Sequence, residues 1–126
     1  MWPVIAICVG ASAGALARWG LGLWLSPGGV IPWGTLAANL IGGYLIGIVV
    51  AMFQAMPQLD PIWRLALITG FLGGLTTFSS FSAEVVNLLM HQRYALALGT
   101  AGMHIAGSML LTVAGIWSAH QWLAAR

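Results

Sequence analysis

Gly70-Phe-Leu-Gly-Gly-Leu-Thr-Thr-Phe-Ser-Ser-Phe-Ser-Ala-Glu84 is the stretch on which the reading of this chain turns. It holds three glycines, five hydroxyl side chains and a carboxylate, yet it lies inside a long apolar run. Its flanks, Leu65 to Ile68 and Val85 to Met90, read as membrane helix on both sides. Lipid cannot satisfy free backbone N–H and C=O groups, so a helix break at that depth is tolerated only inside protein or against a polar cavity. Such a break also creates helix ends with partial charges, which channels and transporters use as ion sites. The stretch predicts ion handling.

Outward from it, four segments reach the roughly 20 apolar residues that a membrane helix needs: Trp2–Leu25, Ile31–Met56, Pro61–Met90 and Tyr94–Leu123. Short connections rich in breaker residues separate them: Ser26-Pro27-Gly28-Gly29, Pro57 to Pro61, and His91-Gln92-Arg93. All seven tryptophans fall near the ends of these spans, the headgroup level that amphipathic rings favour. The expected fold is all-α: one four-helix transmembrane domain over residues 1–126, with a break in the third helix.

Composition narrows the function classes. The chain is 60% hydrophobic and 5% charged, with a mean hydropathy of +0.96, far outside the range of soluble domains. There is no lysine; the cations are Arg18, Arg64, Arg93 and Arg126, and the acids are Asp60 and Glu84. No basic cluster exists for nucleic acid. No nucleophile–base pair, phosphate-binding glycine loop or cofactor motif is present, so an enzyme is not expected. Cys8 has no partner for a disulfide and is expected as a small buried side chain. Ala11-Ser12-Ala13 resembles a signal-peptide cleavage site, but no Lys or Arg precedes Arg18, so the segment reads as a retained first helix.

The arginines give no orientation. Four spans put Arg64 and Arg126 on one side of the membrane and Arg18 and Arg93 on the other, where an excess of Lys and Arg would normally mark the cytoplasmic face. Either one further charge, such as the N-terminal amine, tips the balance, or the chain inserts both ways and pairs with an inverted copy of itself. Gly10/Gly14, Gly43/Gly47 and Gly70/Gly74 each set two glycines on one helix face. Close backbone approach of this kind drives helix association in lipid, and three such faces point to oligomerisation.

Polar residues inside the spans supply the candidate site. Thr35 and Asn39 share a face of the second span at i, i+4; an unpaired amide at that depth is costly, and an interhelical hydrogen bond is its bland role. Phe78 and Phe81 stand at i, i+3 among Ser79, Ser80 and Ser82, a spacing more often met in a core. Thr100, His104, Ser108 and Thr112 form a stripe at strict i+4 intervals on the fourth span, which reads as one wall of a hydrated path. His104 has no His, Cys or acid one turn away, so metal-ligand spacing is absent. Arg18 reads as a helix-end residue snorkelling to the interface, and Glu84 as a carboxylate bonded to backbone or hydroxyls near the break.

The stretch Gly70 to Glu84 closely resembles the signature of the Fluc (CrcB-type) fluoride channels. Gly34-Thr-Leu-Ala-Ala-Asn39, Gly14-Ala-Leu-Ala-Arg18 and Gly107-Ser108 are similar to the same family's motifs, in the same order along the whole chain. The resemblance implies an antiparallel, dual-topology homodimer with two fluoride pores along the subunit interface. It implies a sodium ion at the dimer centre, held by backbone carbonyls at Gly73 and Thr76. Asn39 would face the pore, Phe78 and Phe81 would form aromatic fluoride sites, Arg18 would lie near an aqueous vestibule, and Ser108 on a polar track. Thr35, Ser79, Thr100 and His104 join the candidate pore residues, and Glu84 is a pore or structural residue. Thr100 and His104 stand where some members are expected to carry tyrosine and serine.

The function implied is passive export of fluoride across the cell's inner (plasma) membrane, with fluoride, lipid and a second copy of the chain as partners. The alternative is a small dual-topology drug or guanidinium exporter, which needs an acid deep in an early helix; none precedes Asp60. A third class, a non-transporting membrane subunit, would pass no ion in liposomes.

Overall fold

A computed structural model describes residues 1–126. It is all-helical. α1 is Trp2–Leu25 and α2 is Trp33–Ala55. The third span, Pro61–Met90, is two helices end to end: α3, residues 61–75, and α4, Phe78–Met90. α5 is Tyr94–Ala124. All four spans are long and apolar enough to cross a membrane.

The ends follow local chemistry. α2 starts two residues later than the sequence suggests, because Pro32 is its N-cap and Gly34 N–H donates to Ser26 Oγ (2.8 Å) in the preceding loop. α3 opens with Pro61 in its first turn, and Asp60 Oδ1 accepts from Ile62 N–H at 2.9 Å. Both features suit a helix N-terminus, where an oxygen cap is welcome and the missing proline N–H costs nothing. The turn after α4 is closed by Gln92 in the left-handed region (φ 59°).

Alternate spans run in the same direction and pack in parallel pairs, α1 on α3 and α2 on α5. Glycine makes both contacts possible. A Cβ on Gly10 would lie 2.2 Å from the Ala66 carbonyl oxygen, and one on Gly74 2.4 Å from that of Ala11. On the other pair, a Cβ on Gly47 would lie 2.2 Å from Thr112 O and one on Gly115 2.1 Å from Tyr44 O. The glycine faces are therefore spent on packing the chain against itself, not left free for another copy.

The central cluster is small: Ala38, Leu72 and Leu75, with Leu21, Leu45, Ile46 and Phe71 against it. Only 18 of 126 residues are buried. Large apolar side chains such as Trp19, Leu98 and Leu110 face outward, as they can only where lipid or another protein replaces water. Cys8, expected inside, is exposed on α1; α1 buries only Gly14, so a small apolar side chain there gains nothing by turning inward.

Two stretches widen to π-helix, Leu65–Leu72 in α3 and Met103–Gly107 in α5. In an α-helix, groups four residues apart drift by about 40° per step. A π turn takes up one more residue and rotates the phase the other way, so the turn at Met103–Gly107 keeps His104, Ser108 and Thr112 on one wall.

Candidate functional site

The break falls at Thr76 and Thr77, whose backbones are extended (ψ 152° at Thr76; φ −149°, ψ 115° at Thr77). Gly73 and Gly74 ahead of it weaken the helix and two β-branched residues follow. Thr77 then starts α4 as its N-cap, its Oγ1 accepting from Ser80 N–H at 3.2 Å. Thr77 Oγ1 also lies 3.1 Å from Ser79 Oγ. Thr76 Oγ1 donates back to the Leu72 carbonyl at 2.8 Å.

Asn39, on α2, mends the gap. Its Oδ1 accepts from Thr77 N–H at 2.8 Å and its Nδ2 donates to Thr77 O at 3.1 Å. One side-chain amide thus replaces the helix's own bonds at the break. The sequence marks Asn39 but not Thr77; the signal for Thr77 is the hydroxyl N-cap three residues before Ser80.

The diverted amides leave carbonyls behind. In an unbroken helix Thr77 N–H would serve Gly73 O, and Ser80 N–H would serve Thr76 O. Here those donors go to Asn39 Oδ1 and Thr77 Oγ1, and no backbone amide takes their place. Gly74 O, between them, accepts from Arg18 Nε at 3.1 Å. Arg18 therefore caps the broken helix with one edge of its guanidinium, a bond that neither the snorkelling nor the vestibule reading of the sequence includes. Gly73 and Thr76 border an open groove of about 500 Å³.

That groove collects most of the candidate residues. Asn39, Phe78, Phe81, His104 and Ser108 line it together with Thr112. Phe78 and Phe81 meet edge to face, with ring centroids 5.4 Å apart and planes at 69°. Phe81 is buried at 7% exposure, whereas Phe78 is 76% exposed to the open side. The polar stripe of α5 forms the seam with α2: Ser108 Oγ donates to Asn39 O (3.4 Å), and Thr112 Oγ1 lies 2.8 Å from Gly43 O and 2.9 Å from Ser108 O. Ser79 is exposed at the start of α4, outside the groove lining.

Two smaller spaces flank it. A cavity of about 100 Å³ is bordered by Leu36, Glu84, Thr100 and His104. An open depression of about 350 Å³ near the α1–α2 connection is lined by Arg18, Trp19, Ser26 and Thr35. Thr35, one turn from Asn39 on α2, thus opens onto the depression and Asn39 onto the groove. His104 stands between groove and inner cavity, with Glu84 behind it; twenty residues separate the two in sequence and nothing local marks the pairing. No group of three or more His, Cys, Asp or Glu side chains comes together as a metal site.

Residues 5–116 match the model of one protein family, described as CrcB-like protein, Camphor Resistance (CrcB). The chain is 76% identical over 119 residues to a protein of Albidiferax ferrireducens named fluoride-specific ion channel FluC, covering 94% of this chain and 92% of that one. A protein of the same name from Variovorax paradoxus is 66% identical over 116 residues, 92% of this chain and 93% of the relative. Another from Nitrosomonas europaea is 53% identical over 120 residues, covering 92% and 93%.

Proposed function

The chain belongs to the CrcB family, and we infer from that membership that it is a fluoride-specific ion channel of the inner membrane, passing through the bilayer four times. The observation that carries this is 76% identity across nearly the whole chain to a fluoride-specific channel. The groove beside the helix break supports it. Fluoride holds its water tightly, so a pore must offer replacement donors that are numerous yet individually weak enough to release the ion.

We place the conduction path along that groove. Phe78 and Phe81 supply ring edges, which carry partial positive charge. Asn39, His104 and Ser108 supply the polar wall, Thr100 lines the inner cavity behind it, and Thr35 with Arg18 forms the mouth, where a cation draws anions in. Ser79 lies at the rim, and Glu84 closes the inner cavity behind His104. One side of the groove is open and Phe78 projects from it. A second, inverted copy of the chain would close it, and the balanced arginines allow that insertion. The pores would then lie at the interface of an antiparallel homodimer.

A sodium ion fits the same arrangement. Gly73 and Thr76 line the groove and have carbonyls freed by the break, hard oxygen donors that suit a small monovalent cation. The two residues would hold the ion through backbone oxygens, and its positive charge would offset the partial charges gathered there.

Fluoride efflux from liposomes containing only this protein, compared with chloride efflux, tests the reading. Rapid fluoride loss driven by membrane potential, with chloride retained, is the expected result; equal passage of both ions, or of neither, would overturn it.

A further inference from the structure

His104 joins two polar clusters that no other residue connects. Its ring is buried, 5% exposed, and borders both the groove and the inner cavity. On the groove side Nδ1 lies 3.0 Å from Asn39 Nδ2. On the other, Nε2 lies 3.9 Å from Glu84 Oε2, a buried oxygen with no hydrogen-bond partner. Phe81 packs on the ring, with centroids 4.6 Å apart and planes at 32°.

The direction of the neighbouring bonds settles where the ring's proton sits. Thr77 N–H can only donate, so the Asn39 atom facing it is the oxygen. Thr77 O can only accept, so the atom facing it is the nitrogen. One Nδ2 hydrogen goes to Thr77 O, and the second points to His104 Nδ1. A proton on Nδ1 would set donor against donor at 3.0 Å. Nδ1 is therefore the acceptor, and the single proton of the neutral ring is on Nε2, on the side of the carboxylate.

We propose that His104 is a positioning residue, held as the neutral Nε2–H tautomer, whose Nδ1 lone pair fixes the Asn39 amide that bridges the helix break. This rests on the fluoride-channel reading for its consequence, since a displaced amide releases the Thr77 backbone at the edge of the conduction groove. The chain runs from Glu84 through His104 and Asn39 to Thr77, from α4 through α5 and α2 back to the start of α4. The loaded element is the break, not the ion.

Two measurements on the intact protein test it. Nitrogen-15 NMR of histidine-labelled protein separates the ring forms directly. The His104 signals are identified among those of His91 and His120 by their loss in His104→Asn. The expected pattern is an unprotonated Nδ1 and a protonated Nε2; a protonated Nδ1, in either the neutral or the charged ring, overturns the proposal. Liposome flux gives the second readout. Asparagine places its oxygen where Nδ1 stands, whereas glutamine places its amide where Nε2 stands and leaves Asn39 without its acceptor. All three variants alter the groove wall, so their order is the readout: His104→Asn should retain roughly tenfold or more fluoride flux relative to His104→Gln and His104→Leu, the effect of one buried hydrogen bond. Equal loss in all three, with each protein folded, overturns the positioning role. If a variant fails to fold, the wild-type spectrum still decides. Absence of fluoride flux in the wild type would refute the channel reading alone, leaving the tautomer to be read on its own.

Discussion

Asn39 and Thr77 hold each other by two hydrogen bonds, 2.8 Å to the Thr77 amide and 3.1 Å from the Asn39 amide to the Thr77 carbonyl. A side chain of one span here completes the backbone of another. Lipid offers a broken helix no partners of its own, so the break persists because α2 brings a donor and an acceptor to the same residue.

Asn39→Asp keeps the acceptor and removes the donor. The Thr77 carbonyl and His104 Nδ1 then face oxygen, and each group left unpaired costs about 1–3 kcal/mol. Asn39→Leu strands the Thr77 amide as well. Both variants should unfold at lower temperature in detergent, the leucine form more so, with fluoride flux nearly abolished. Wild-type melting in either would mean that the break is held elsewhere.

Phe78 and Phe81 should separate in stability but not in conduction. Phe81 is buried, so Phe81→Ala should cost about 3–5 kcal/mol, whereas the exposed Phe78 has little to lose within one chain. Isoleucine keeps the bulk at either position and removes the positive ring edge. Phe78→Ile and Phe81→Ile should both give folded protein with strongly reduced fluoride flux. Unchanged flux in both would leave the rings as packing.

Gly42 and Thr76 form a size-matched pair at the break. A Cβ on Gly42 would lie 2.1 Å from Thr76 Cγ2, with Thr76 Cβ the next atom of that side chain at 3.7 Å. Gly42→Ala should therefore displace Thr76 and its carbonyl, costing about 1–3 kcal/mol of overpacking and lowering flux. Thr76→Ser removes the clashing methyl and keeps the hydroxyl bonded to Leu72. The double variant should recover both stability and flux; additive damage in a double-mutant cycle would refute the contact.

Glycines elsewhere should rank by what faces them. Gly47→Ala and Gly115→Ala set a methyl against a backbone carbonyl that cannot rotate away, so both should destabilise the α2–α5 pair by about 1–3 kcal/mol or more. Gly102 has open space around it. Gly102→Ala should be neutral or gain up to about 1 kcal/mol from helix propensity. Thermal unfolding of the three variants reads the order directly.

The arginine balance predicts that a C-terminal reporter is found on both sides of the membrane. Two or three lysines added to the connection between α2 and α3 should drive one orientation, and flux should fall if the pore needs both. A reporter confined to one side in the unmodified protein would exclude the inverted pair.

Much of this molecule is legible in one dimension. Hydropathy, the tryptophans at the span ends and the breaker residues between them locate four spans to within a few residues of the helices observed. Glycines and hydroxyls at positions 70–84 mark the break, because helix propensity and the needs of backbone groups in lipid are properties of the segment itself. What each side chain meets is another matter. The glycine faces suggest contact with another copy and instead pack α1 on α3 and α2 on α5; Arg18 suggests the interface and caps Gly74; Cys8 suggests burial and is exposed. The union of Asn39 with Thr77, and of His104 with Asn39 and Glu84, depends on how far each helix is rotated and how deep it sits. Those two quantities are fixed by close backbone contacts between spans, such as Gly10 with Ala66 and Gly47 with Thr112. The order of helices and the place of the break therefore belong to the sequence alone, while the partners of every polar side chain at the break are decided only when the helices pack.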